Sequence, residues 1–172
     1  MSRKVSLEAI KALREKTRAS INDVRAALES AGGDESKALE LLRALVAAIA
    51  EKLQWRATGQ GRVEAYIHHD GRIGALVEVD CETDFVARTP EFQQFCRDVA
   101  MHVAALSPRY LQAEDVPSAE RPGDVNALCL LEQPFVKDPA TNVRDLLKAL
   151  IAKTGENVVI RRFAKFGVGE AA

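Results

Sequence analysis

Apolar residues recur every three or four positions through the first part of the chain and at alternate positions directly after it. The pattern therefore predicts helices first and strands next. Ser6 can cap a segment with Leu7, Ile10 and Leu13 at helical spacing that ends near Thr17. Ser20-x-x-Asp23 resembles a capping box opening a second helix around Val24, Ala27 and Leu28, and Ala31-Gly32-Gly33 stops it. Asp34 then caps a third helix carrying Ala38, Leu41, Leu42 and Leu45, which continues through the alanine-rich run towards Trp55. Thr58-Gly59-Gln60-Gly61 reads as a hinge.

Beyond the hinge, Val63 to His69 and Ile73 to Val79 are β-prone runs joined by Asp70-Gly71, a dipeptide favoured in tight hairpins. Thr89-Pro90-Glu91 gives an N-cap, a proline at the first helical position and a first-turn acid. Phe92, Phe95, Cys96, Val99, Ala100, Val103 and Leu106 then form one apolar stripe, ended by Ser107-Pro108. After a turn-rich passage with Pro117, Pro122 and Gly123, Pro134 keeps Leu130 to Asp138 from being a central strand. Thr141-Asn142 caps a last helix through Val143, Leu146, Leu147, Leu150 and Ile151 that ends at Gly155, and Val158 to Phe166 is the last strand. The prediction is an α+β protein: a three-helix module over residues 1–45, a helical linker over 46–61, and a core over 62–172 in which three antiparallel strands pack with two helices.

Charge changes the picture by subtraction. A net charge of -1 on 172 residues removes the broad attraction that drives nonspecific nucleic-acid binding. Arg161, Arg162 and Lys165 alternate with Phe163 and Phe166, letters that fit either a base-stacking surface or an ordinary strand with one solvated face, and the strand is the preferred account. Cys81, Cys96 and Cys129 form no C-x-x-C pair and are read as buried small hydrophobes in a reducing compartment. The start of the chain is amphipathic rather than a continuous apolar signal, and Ala44 to Ala50 is too short to span a bilayer, so a soluble, cytoplasmic protein is expected. No phosphate-cradling glycine loop and no metal-ligand spacing is found, so no metal and no cofactor are expected. His68 and His69, read as neighbours on a strand, point to opposite faces, and His102 falls off the apolar stripe as a partly exposed helix residue. Nothing here builds an enzyme.

One link does carry a chemical signal. In Glu78-Val79-Asp80-Cys81-Glu82-Thr83-Asp84-Phe85-Val86-Ala87-Arg88, an alternating strand runs into an acidic residue and a large aromatic just before a capped helix. Asp84 and Phe85 then sit on a short link that can project from a rigid base, or Phe85 folds back into the core. The stretch resembles the signature of elongation factor Ts, the nucleotide-exchange factor for elongation factor Tu. Leu130 to Asp138 and Gly155 to Phe163 are similar to the same family. Leu13 to Thr17 and Asp23 to Leu28 look like its ubiquitin-associated-like N-terminal domain.

The resemblance implies that Thr83, Asp84, Phe85 and Val86 form a partner-binding tip. Phe85 would wedge into the GTPase domain of elongation factor Tu, and Asp84 would disturb its Mg²⁺-linked contacts. It implies a second contact with that partner through Arg14, Ile21, Asn22 and Arg25. Departures from the family fall at Arg18 and Ser20, where glycines are usual, at Ile21-Asn22 in place of two methionines, and at Arg25 in place of lysine. The Ala44 to Arg56 linker and the short stretch between Pro117 and Leu130 also depart. The alternative is a diverged, translation-associated binding module without exchange activity. Short members resemble half of longer ones and pair as homodimers, for which Val158 to Phe166 with Leu130-Leu131 is the candidate surface. The competing expectation is a monomer whose helices cover the sheet.

Overall fold

The structure, a computed structural model, describes residues 5–17, 19–120 and 124–170. Arg18, Pro122 and Gly123, singled out above, lie outside the described residues. The chain divides into two compact units, Met1–Trp55 with Lys148–Asn157, and Arg56–Leu147 with Val158–Ala172.

In the first unit, three helices form where the caps predict them: α1 (Leu7–Thr17), α2 (Ile21–Ser30) and α3 (Glu35–Leu53). The Ala9 N–H donates to Ser6 Oγ, the Asp23 N–H to Ser20 Oγ, and the Ser36 and Lys37 N–H groups to Asp34 Oδ1. Leu13, Val24, Ala27, Leu28, Ala38 and Leu42 make its core, one stripe from each helix.

In the second unit, β1 (Gln60–Ile67), β2 (Ile73–Cys81) and β5 (Val158–Gly167) form an antiparallel sheet in the order β1-β2-β5. The expected α+β class is what is observed. Between β2 and β5 the chain runs through α4 (Asp84–Ala87), α5 (Pro90–Leu106), a 3₁₀ turn (Ala113–Asp115), α6 (Val125–Leu128), the short hairpin β3 (Pro134–Phe135) and β4 (Asp138–Asn142), and α7 (Val143–Thr154). The β3-β4 hairpin is an addition to the three expected strands. Pro134 confines that segment to a two-stranded edge ribbon, as expected. β1 opens at Gln60, so half of the expected hinge is strand.

α5 lies on β1 and β2, against the inner faces of Ala75, Val77, Val79 and Cys81. It ends at Ser107, which adopts a left-handed conformation (φ 51°) just before Pro108. Its burial is wider than one stripe. Asp98 and His102 are buried as well, while Leu106 at the end of the expected stripe is 43% exposed.

β1 inverts the usual alternation. Arg62, Glu64 and Tyr66 pair opposite Val79, Val77 and Ala75 on the α5 side, so Val63, Ala65 and Ile67 face away from α5. Beside them on that outer face lie Leu76 of β2 with Ala164 and Phe166 of β5. Val63, Ile67 and Phe166 are each about two-thirds exposed. The sheet therefore has an apolar outer face as well as an apolar inner one, where one solvated face was expected.

Candidate functional site: the turn between β2 and α5

β2 ends at Cys81 and α5 begins at Pro90, and the link between them is a single helical turn rather than an irregular loop. A four-residue helix cannot hold itself, because nucleation costs more than one turn of hydrogen bonds returns. Here both of its ends are tied. On the β2 side Thr83 is the N-cap, its Oγ1 accepting from the Val86 N–H at 3.4 Å, and the buried Cys81 thiol donates to the Thr83 carbonyl at 3.1 Å. On the α5 side the Thr89 N–H and hydroxyl both donate to the Val86 carbonyl, at 3.0 and 2.8 Å. The same hydroxyl accepts from the Phe92 N–H and so caps α5.

Phe85 stands on this turn 80% exposed, against the expectation's alternative of a core position. Seven residues on, Phe92 is fully buried under the sheet. Asp84 precedes Phe85, and its carboxylate meets the Arg88 guanidinium at 2.8 Å. Thr83, Asp84, Phe85 and Val86 are thus brought together on one rigid turn. Arg88 was missed as a member of this site. Its signal was the four-residue spacing from Asp84, which matters only once the link is known to be helical.

In the first unit, Arg14, Ile21 and Asn22 line one groove of about 440 Å³ with Leu45 and Ile49 of α3. Ile21 is 53% exposed. Arg25 is outside that lining and pairs with Glu29 at 3.0 Å, one turn along α2.

Other sequence candidates resolve differently. His68 and His69 are not strand neighbours: β1 stops at Ile67, both lie in the hairpin loop, and their ring centroids are 4.3 Å apart. The loop is longer than a two-residue turn because the His68 N–H pairs with the Ile73 carbonyl and the Gly71 N–H turns back to the His68 carbonyl. His102 is fully buried rather than partly exposed. Its Nδ1 accepts from the Val136 N–H at 3.2 Å, so Nε2 carries the proton and donates to Gln133 Oε1 at 2.9 Å. Burial holds the imidazole below its ordinary pKa, with the Gln133 hydrogen bond opposing.

All three cysteines are buried thiols, and burial, aided by Glu64, pushes the Cys96 thiol up to about 12. Arg161 pairs with Asp80, Arg162 with Glu78 and Lys165 with Glu170, so the cations of β5 are committed to carboxylates of this chain. Leu130 and Leu131 are buried and offer no surface for self-association. Among the described residues no group of three or more His, Cys, Asp and Glu side chains could hold a metal ion, and no helix is long and apolar enough to cross a membrane.

The family model described as elongation factor TS matches residues 6–121, which include the helical module, the turn and α5. The chain is 45% identical to elongation factor Ts of Rubrobacter xylanophilus over 93% of this chain and 97% of that protein. This chain belongs to the elongation factor Ts family. It is 45% identical to elongation factor Ts of Carboxydothermus hydrogenoformans, over 96% of this chain and 90% of the relative. It is 42% identical to that of Thermotoga petrophila, over 96% of this chain and 97% of the relative. Membership in the elongation factor Ts family places the chain among translation elongation factors.

Proposed function

We propose that this chain is a guanine-nucleotide exchange factor that binds elongation factor Tu carrying GDP and promotes GDP release. The observation that carries the reading is Phe85, a large aromatic held 80% exposed beside a carboxylate on a turn tied at both ends. A rigid base lets the exposed ring enter a partner without first being ordered. The nucleotide affinity of a GTPase depends on phosphate-cradling donors and on Mg²⁺. Phe85 acts as the apolar wedge, and the Asp84 carboxylate competes for Mg²⁺-linked contacts. Because coupling is reciprocal, GDP and this chain weaken each other's binding to the partner, and incoming GTP helps expel the factor. No covalent step is needed.

The N-terminal groove provides the second contact, with Ile21 as its exposed apolar residue and Arg14 and Asn22 as polar neighbours. Arg25, on the next turn, adds charge at its edge.

A second copy of the chain is a further proposed partner. The support is the outer face of the sheet, where Val63, Ile67, Leu76 and Phe166 are all exposed, together with Val168 just after β5. A two-fold dimer needs a self-complementary patch of that kind. Light scattering at micromolar concentration should give the dimer mass with and without reductant. A monomer binding elongation factor Tu one to one would refute the pairing and leave the exchange reading intact.

The exchange reading is tested by mixing the protein with elongation factor Tu loaded with fluorescent GDP. Faster release that saturates with protein concentration is expected. An unchanged rate at saturation would instead favour a binding module without exchange activity.

A further inference from the structure

Resting on the exchange reading, we infer that Arg88 is a positioning residue that holds the Asp84 carboxylate outward beside Phe85 for use on the partner. The turn offers Asp84 a competing arrangement. An aspartate at the start of a helical turn readily folds its carboxylate back onto nearby backbone N–H groups. Those donors are already engaged: Thr83 Oγ1 accepts from the Val86 N–H at 3.4 Å, and the Ala87 N–H donates to the Thr83 carbonyl at 3.3 Å. A carboxylate that swung inward would take over those donors and leave the tip without its outward charge.

Arg88 opposes this swing. Its backbone N–H closes the turn, donating to the Asp84 and Phe85 carbonyls at 3.2 and 3.3 Å, and its own carbonyl is held by the Gln93 side-chain amide at 3.2 Å. From that fixed base the guanidinium reaches back along the turn to Asp84 Oδ2 at 2.8 Å. The pair is open to water in the free protein, with 78% of the Arg88 and 45% of the Asp84 side chain exposed, so it adds little to folding. It tightens where water is excluded, as it is when the tip enters a partner. The guanidinium thereby fixes the carboxylate through its Oδ2 on the exposed side of the turn.

The test is the maximal rate of fluorescent GDP release from elongation factor Tu, and the protein concentration giving half of it, for wild type, Arg88→Met, Arg88→Lys, Asp84→Ala and the Asp84→Ala/Arg88→Met double variant. Arg88→Met should melt like wild type and lower the maximal rate roughly three- to tenfold, with the half-saturating concentration unchanged. Arg88→Lys should recover most of the rate. In the Asp84→Ala background Arg88→Met should change nothing further, because Arg88 acts only through Asp84. A full rate for Arg88→Met, a loss confined to affinity, or equal losses with and without Asp84 would overturn the positioning role while the exchange reading stands. A wild-type protein that leaves the release rate unchanged overturns both.

Discussion

The two ends of α5 each meet a phenylalanine, and they treat it in opposite ways. Before α5, Phe85 is 80% exposed on a turn whose ties are nearly all backbone and cap hydrogen bonds. Against its second half, the β3-β4 hairpin buries Phe135 to 1% exposure, stacked on the His102 ring at 6.0 Å between centroids. That hairpin is latched to α5 by side chains one helical turn apart: His102 to Gln133 and to the Val136 backbone, and Asp98 to Lys137 at 2.7 Å. The same helix thus anchors a region whose aromatic is buried and a region whose aromatic stays exposed. Exposure at the first is not a shortage of core, since Phe92 nearby is fully buried.

This contrast is sharpened most by Phe135→Ala. It should cost about 3–5 kcal/mol, read as a shift in the denaturation midpoint without a change in slope. A small shift would mean the hairpin is not latched by its core. Acid should act on the same latch. His102 is neutral in the fold and its pKa is lowered, so its contribution to stability is complete above about 6.5 and is lost as pH falls through the lower, folded value. A second proton on Nδ1 would also face the Val136 N–H donor. Melting temperatures measured from pH 7.5 downward should fall as pH drops below 6.5, and His102→Gln should flatten the dependence. At the other end, Thr89→Ala removes the cap of α5 and one tie of the turn and should cost about 1 kcal/mol. Phe85→Ala should have the smallest effect, within roughly 0.5 kcal/mol of wild type, as expected of an exposed position.

Much of this architecture was legible from punctuation. Ser6, Asp34 and Thr89 start helices where their side chains meet orphan N–H groups, and Gly155 (φ 70°) follows α7 as a helix-ending glycine should. What escaped depended on a second neighbour. His102 lies off a stripe defined for one packing surface, but α5 has two, the sheet and the β3-β4 hairpin, and the second carries polar latches that periodicity does not register. The apolar outer sheet face escaped for a related reason. Alternation in Val63 to Ile67 reports a face and its period, not which side α5 covers. The place of Phe85 between a strand and a capped helix left projection and a core position both open, and the resemblance to elongation factor Ts decided for projection, whereas Arg88 required the helical turn itself.

The most direct test of the account compares wild type and Phe85→Ala, each at saturating concentration, for release of fluorescent GDP from elongation factor Tu. On the proposed exchange role, the expected result is a melting curve close to wild type together with a maximal release rate at least about tenfold lower, since Phe85 would act in the partner and not in this fold. A variant that retains the wild-type rate, or that loses it only because it has unfolded, would contradict the claim that Phe85 is held exposed for exchange.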